Sequence, residues 1–274
     1  MGIYNAFLYV EPGKAYTIFL PQKAEKTQAQ KLNPYFKETD VHLSIEAADT
    51  TDLNFLIRSF DQAFYPYYDK FVMNALIKRD FKMLDDAVDA LQLPYMHIEN
   101  EFLHQYIEYK LGLLSHMAFQ QKTKQIAKTY FTGRAVLYNN PAYMELFNQV
   151  FDKYLQFYGR TEYGKRLYED IGETQSFEDL VVTLKIDSVL NSDSLTEMVI
   201  MKNIHDEFYR ANLSRSDMLV VLDSLAIQSQ IELYKKMAKE IRSKVTRLLV
   251  GFPPPAFELY DSDSNLVSLS DFEG

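Results

Sequence analysis

LNFLIRSFDQAF, residues 53–64, decides how this chain reads. Leu53, Leu56, Ile57, Phe60 and Phe64 fall at i, i+3, i+4, i+7 and i+11, the period of one helical face. Pro66 predicts a kink or an end to that helix. Further stripes follow as far as residue 249: Phe102, Tyr106, Tyr109 and Leu113; Leu146, Val150, Tyr154 and Phe157; Ile200, Ile204 and Phe208; Leu219, Leu222 and Leu225. Ile231, Met237, Ile241 and Leu248 mark a last helix. Asn140-Pro141 predicts an N-cap with proline at the first helical position. Ser194-Leu195-Thr196-Glu197 has the capping-box pattern, and Gly159 suits a helix end. Short polar links predict antiparallel neighbours. No fixed-period repeat is visible.

Period-two patterns flank this body. IYNAFLYV (3–10) and AYTIFL (15–20) are joined by Glu11-Pro12-Gly13-Lys14, a turn signature, and VHLSI (41–45) is a third run. At the other end Phe257 and Leu259 alternate with Glu258 and Tyr260. A polar turn follows, then Leu266, Val267 and Leu269 and a capped turn at Ser270-Asp271. The expected fold is mainly α, an irregular antiparallel helical array with short β segments at both ends. Three regions are expected: 1–48, the remnant of an N-terminal β domain; 49–249, helical; and 250–274, a lead-in β hairpin. Both ends fall inside β patterns, so a piece of a longer protein is expected. A hairpin at 256–272 would then be poorly packed, or would pair through its edges.

Hydrophobic residues make up 47% of the 274 and aromatics 14%, enough for a packed core and against disorder. The aromatics are 20 Tyr and 19 Phe with no Trp, a composition that favours half-buried rings with hydroxyls at the rim. A net charge of −9 argues against a general nucleic-acid binder. With no cysteine there is no disulfide framework, thiol nucleophile or thiolate metal site. No apolar run approaches the roughly 20 residues of a membrane span, and no signal peptide is visible.

Several motifs approach chemistry. Gly159 to Lys165 fits G-x-x-x-x-G-K, but Arg166 stands where Ser or Thr would hold Mg²⁺ and a helix precedes it, so a helix–loop–helix turn is expected. Asp261-Ser262-Asp263-Ser264-Asn265 opens like a calcium loop but has Leu266 and Phe272 at the glycine and glutamate positions, so a hairpin turn is expected. His97, Glu101, His104 and Glu108 would share one helix face, as a solvated face or a zinc site. Asn140-Pro141-Ala142-Tyr143 matches an adaptor-docking peptide, with capping preferred. Asn212-Leu213-Ser214 is a lone glycosylation sequon. Lys235, Lys236, Lys239, Arg242, Lys244 and Arg247 make the last helix basic, which reads as a solvated face, or as a contact for an anionic membrane or an acidic partner. None of these assigns a catalytic, cofactor-binding or metal residue, and no cofactor is expected.

The ending, VGFPPPAFELYDSDSNLVSLSDFEG (250–274), resembles the lead-in to the thioredoxin-like domain of TlpA-type thiol–disulfide oxidoreductases. Val250, Gly251, Pro255, Phe257, Leu259, Asp261, Val267, Leu269, Ser270, Asp271, Phe272 and Gly274 carry the resemblance. Pro254 and Asn265 depart from it, and Asn265 still tolerates the positive φ of a turn. FLYVEPGKAYTIFLP (7–21) and LNPYF (32–36) resemble the N-terminal regions of TlpA-like proteins of Bacteroidetes. The resemblance implies that a thioredoxin-like domain with a Cys-x-x-Cys follows Gly274. It also implies an exported parent, periplasmic or held at the cell envelope as a lipoprotein, whose signal lies upstream. The chain would then be a non-catalytic accessory region that positions the redox domain, forms a homodimer or binds a client protein. A groove between helices lined by Tyr and Phe is the expected client surface. The alternative is a stand-alone helical protein-binding scaffold.

Overall fold

A computed structural model describes residues 3–33, 36–46, 49–74, 81–119, 123–173, 176–210, 213–247, 249–253, 256, 258–263 and 265–272. Pro34, Tyr35, Asn212, Leu248, Pro254, Pro255, Phe257, Ser264 and Gly274, named above, lie outside the described residues. The protein is mainly helical, with short strands near both ends. It divides into two compact units, Met1–Phe119 and Gln120–Gly274.

The first unit opens with β1 (Tyr4–Phe7) and β2 (Ile18–Phe19), then α1 (Gln28–Leu32), β3 (Thr39–His42) and β4 (Ser44–Ile45). The turn at Glu11–Lys14 forms, with Gly13 at φ 80° and Lys14 N–H bonded to Glu11 O. The runs it joins pair with later strands. β1 lies parallel to β3, with Tyr4 opposite Thr39, and β2 lies antiparallel to β4. The expected single run at 41–45 is therefore divided at Leu43 between two pairings.

α2 (Leu53–Asn74), α3 (Phe81–Gln92) and α4 (Glu101–Phe119) supply this unit's core. Leu53, Leu56, Ile57, Phe60 and Phe64 are all buried, as their period predicts. Phe60 stacks on Phe64 at 5.7 Å and meets the Tyr95 and Tyr106 rings edge-on. Pro66 does not end α2, which runs on for two more turns. The carbonyl that a proline there deprives of an N–H belongs to exposed Gln62, where the loss is least costly.

The second unit contains α5 (Thr123–Tyr130), α6 (Pro141–Val150), α7 (Tyr154–Tyr158), α8 (Leu167–Gly172), α9 (Phe177–Lys185), α10 (Asp193–Glu207), α11 (Arg215–Gln228) and α12 (Glu232–Thr246). β5 (Glu258–Tyr260) and β6 (Leu266–Ser268) then form an antiparallel hairpin, followed by a 3₁₀ turn at Leu269–Phe272. α10 is the central helix. Leu195 through Met201, Asn203, Ile204 and Glu207 are all buried, Lys202, His205 and Asp206 are half-buried and Asp193 at its start is exposed, so little amphipathic signal is left. The expected capping box at Ser194–Glu197 is not formed. Ser192 is the N-cap and accepts from Leu195 N–H. Glu197 instead points into the core, where Ser229 Oγ donates to it at 2.5 Å. The buried face of α12 also differs from expectation: Tyr234, Ala238 and Val245 are buried, while Met237 and Ile241 are only half-buried.

Phe131, Tyr143, Phe147 and Phe151 form an aromatic cluster with centroid separations of 4.9 to 6.4 Å. Phe131→Ala should lower the unfolding free energy by about 3–5 kcal/mol, and Phe157→Ala, on an exposed ring, by about 0.5 kcal/mol or less. Urea titrations of the two variants check this. Burial raises the Glu197 carboxyl above the usual range, against the Ser229 hydrogen bond. Its contribution is therefore present below the unfolded value of about 4.3 and drains as pH rises through the folded value. Glu197→Gln keeps an acceptor for Ser229 and should be at least as stable as the parent at neutral pH, measured by thermal melts across pH.

Candidate functional site

The second unit carries a recess of about 490 Å³ between α5, the α6–α7 corner and the segment after α9. Val150, Tyr154, Phe157 and Tyr158 give it an aromatic and aliphatic wall, and Lys124 and Asp187 give it a charged edge. The corner is built by Lys153, a non-glycine residue in the left-handed region at φ 51°, which separates α6 from α7. Buried Asn203 on α10 holds both sides of it. Its Nδ2 donates to Phe151 O at 3.1 Å and to Val199 O at 2.9 Å, and its Oδ1 accepts from Leu155 N–H at 3.2 Å. The stripe predicted from Leu146 to Phe157 is therefore broken. Leu146 and Val150 face the core, Tyr154 is half-buried, and Phe157 is 58% exposed.

Asp187 organises the charged edge. Its Oδ1 lies 2.9 Å from Lys124 Nζ and accepts from Val189 N–H at 3.1 Å, and its Oδ2 accepts from the Tyr154 hydroxyl at 2.9 Å. Burial pushes this carboxyl up, but the Lys124 ammonium and the two other donors outweigh it and hold it below the usual range. Burial, with the Asp187 charge adjacent, pushes the Tyr154 hydroxyl well up, so it stays a donor. Tyr158 lies nearly parallel to Tyr154 at 6.4 Å and donates to Thr183 O. Both carboxylate oxygens are engaged, so the arrangement suits recognition: an apolar wall with a fixed polar edge.

The first unit has a second recess, of about 390 Å³, beside β1, β3 and α2. Asn54 fixes its wall by accepting from Tyr9 N–H at 2.7 Å and donating to Tyr9 O at 2.9 Å. Tyr106 donates to both oxygens of Asp61, and buried Lys110 lies over the Phe64, Tyr65 and Tyr106 rings.

The motifs of the sequence resolve as follows. Gly159 caps α7, and Gly164 lies so close to Tyr158 that a Cβ would sit 2.1 Å from its carbonyl oxygen. The Gly164 and Thr161 amides are spent on bonds inside this turn, which joins two helices. Asn140 caps α6 through Ala142 and Tyr143 N–H, and Tyr143 is buried, so this is a cap and not a free docking peptide. Asp261 Oδ1 accepts from Asp263 and Asn265 N–H, which makes a hairpin turn. α4 begins at Glu101, which leaves His97 off the helix; His104 Nε2 lies 2.6 Å from Ile98 O, and Glu101 accepts from Gln105. The four residues therefore do not share one helix face as expected. Among the described residues no three His, Asp or Glu side chains form a metal-ligand group. No pattern in the sequence pointed to Lys124, Asp187 or Asn203. Beyond the short-range bonds to Val189 and Val199, their partners lie 33 to 63 positions away in the chain, and no local pattern announces them.

No family model, curated protein or solved structure matches this chain.

Tyr154→Phe should lower stability by about 1–2 kcal/mol at neutral pH, the loss of one hydrogen bond to a carboxylate. Asp187 has a depressed carboxyl, so its contribution is present above the unfolded value of about 3.9 and is lost as pH falls through the folded value. Asp187→Asn should flatten the acid side of the stability profile, read from urea midpoints between neutral and acid pH.

Proposed function

We propose that this chain is a non-catalytic accessory region of an exported, thioredoxin-like thiol–disulfide oxidoreductase, periplasmic or held at the cell envelope as a lipoprotein. Its role is to position the redox domain, to dimerise or to bind a client. The observation that carries the reading is the β5–β6 hairpin. It is paired as the alternating pattern of residues 257–269 predicts, and it and the 3₁₀ turn after it hold apolar side chains in solvent. Leu259 is 63% exposed, Tyr260 74%, Leu266 57% and Phe272 70%. An isolated two-stranded hairpin is marginal in water, so these faces suit a continuing fold that covers them. In this reading the recess at Tyr154 and Phe157 is the client surface. The absence of cysteine gives these residues no thiol chemistry of their own, and no described helix is long and apolar enough to cross a membrane.

A stand-alone helical binding scaffold is the second reading. It is favoured by the same recess, which is walled by α5 to α7 and does not need the hairpin. Reading the natural gene past the codon for Gly274 separates the two. Lysine, an apolar strand and Cys-x-x-Cys are expected. The strand without the cysteines would leave the fold and remove the chemistry. A stop codon would overturn the redox reading and leave the scaffold.

A further inference from the structure

Residues 235–247 hold six cations and one carboxylate, Glu240, in a chain of net charge −9. α12 buries Tyr234, Ala238 and Val245. On the opposite side it turns Lys236, Lys239, Glu240, Ser243 and Arg247 to solvent, with Lys244 beside them, and all six are exposed. Two of the six cations have local partners. Lys235 pairs with Glu232, and Arg242 sits 2.5 Å from Asp223 and over the Phe252 ring. Asp223 lies off the Arg242 Nε–H direction, so this is an ion pair without a hydrogen bond at that nitrogen. Lys236, Lys239, Lys244 and Arg247 make no ion pair among the described residues.

The helix dipole does not account for the run. It favours cations in the last turn, where Lys244 and Arg247 lie, and opposes them near the start. Lys235 and Lys236 follow the N-cap Ile231 by four and five residues, and Lys239 is a turn further on. The cations are also strung along the face rather than gathered on one point. From Lys236 to Arg247 they cover about 16 Å of helix axis. A single small anion would use one end of such a row, whereas a plane of anions would use all of it. Just past the helix, Val250 is 99% exposed, the highest value among the described large apolar residues.

We propose that the solvent face of α12 docks this protein on an anionic bilayer surface, with Val250 entering the headgroup layer. The lysines and Arg247 supply the attraction, and the acidic remainder of the chain turns this face toward the lipid. The surface does not depend on the redox reading: a scaffold with the same helix would dock in the same way.

Vesicle co-sedimentation tests it, with phosphatidylglycerol and phosphatidylcholine in equal parts against phosphatidylcholine alone. The intact chain should bind the mixed vesicles, ignore the neutral ones, and come off as salt is raised. Each surface cation contributes about fivefold to such binding. The triple variant Lys236→Glu, Lys239→Glu, Arg247→Glu should therefore lose more than about a hundredfold, with an unchanged circular dichroism spectrum and melting temperature. Val250→Asp should weaken binding and leave its salt dependence in place. Equal binding to neutral vesicles would overturn the proposal, as would a triple variant that binds like the parent. Release by inorganic phosphate at constant ionic strength would replace the surface with a point anion site. Binding to polyglutamate without binding to vesicles would assign the face to an acidic polypeptide instead. The lipid and salt comparisons need no variant, so they decide the matter even if the triple variant fails to fold.

Discussion

Because most of α10 is buried, the four buried polar side chains it carries, Thr196, Glu197, Asn203 and Glu207, have to be satisfied within the protein. An unpaired polar atom at such a site costs about 1–3 kcal/mol. Thr196 donates to Leu190 O and Ser192 O, close to its own N-cap. Glu207 is held by Arg210 at 2.8 Å. The two remaining side chains reach further and shape the unit. Asn203 holds the α6–α7 corner, and Glu197 accepts from Ser229 at the junction of α11 and α12. The same Ser229 oxygen accepts from Ile231 N–H, and Tyr234 in the first turn of α12 donates to Ser194 O. The start of α12 is thus tied to the start of α10.

The two surfaces proposed as functional in the second unit depend on these two corners. Without the left-handed turn at Lys153, α7 would continue α6 and carry Tyr154 and Phe157 around on the same face as Leu146. The corner frees Tyr154 to reach Asp187 while Phe157 turns outward. The second corner fixes which face of α12 is buried. With Tyr234 and Ala238 committed to the core, 3.6 residues per turn put Lys236, Lys239 and Ser243 on the far side. Buried polar groups on one helix thus decide where an aromatic recess and a cationic face appear on the surface.

The parts of this architecture legible in the sequence are those whose physics is local. Leu53, Leu56, Ile57, Phe60 and Phe64 announced a helix because its core face repeats every turn, and Asn140 announced a cap because its acceptor serves amides two and three residues on. The mainly α fold follows from such signals. What could not be read was long-range or context-dependent. Glu197 completes a capping box by spacing, yet Ser192 starts the helix first and the core claims the carboxylate. His97 has the right interval to His104, yet Asn100 precedes the helix and its side chain caps Leu103. β1 looked ready to pair across the Glu11–Lys14 turn, yet its partner is β3, 35 residues away. The recess was expected only in kind, because Lys124, Asp187 and Asn203 come from separate helices and links.

The hairpin and α12 differ in the kind of exposure they carry, and the difference bears on how each can be used. Leu259, Tyr260 and Leu266 are exposed apolar groups on a two-stranded sheet, and such surfaces associate with whatever strand or apolar face they meet. That association is short-ranged and indifferent to salt. The cations of α12 act at a distance, orient the whole chain in a field, and are screened within about 10 Å at moderate salt. In the chain the hairpin follows the cationic helix, with Gly251 at φ 91° between them. An apolar cover for the hairpin and an electrostatic contact on the cationic face therefore differ in range and in salt dependence, so one does not stand in for the other. Positioning and binding can in this way be divided between two neighbouring surfaces of one unit.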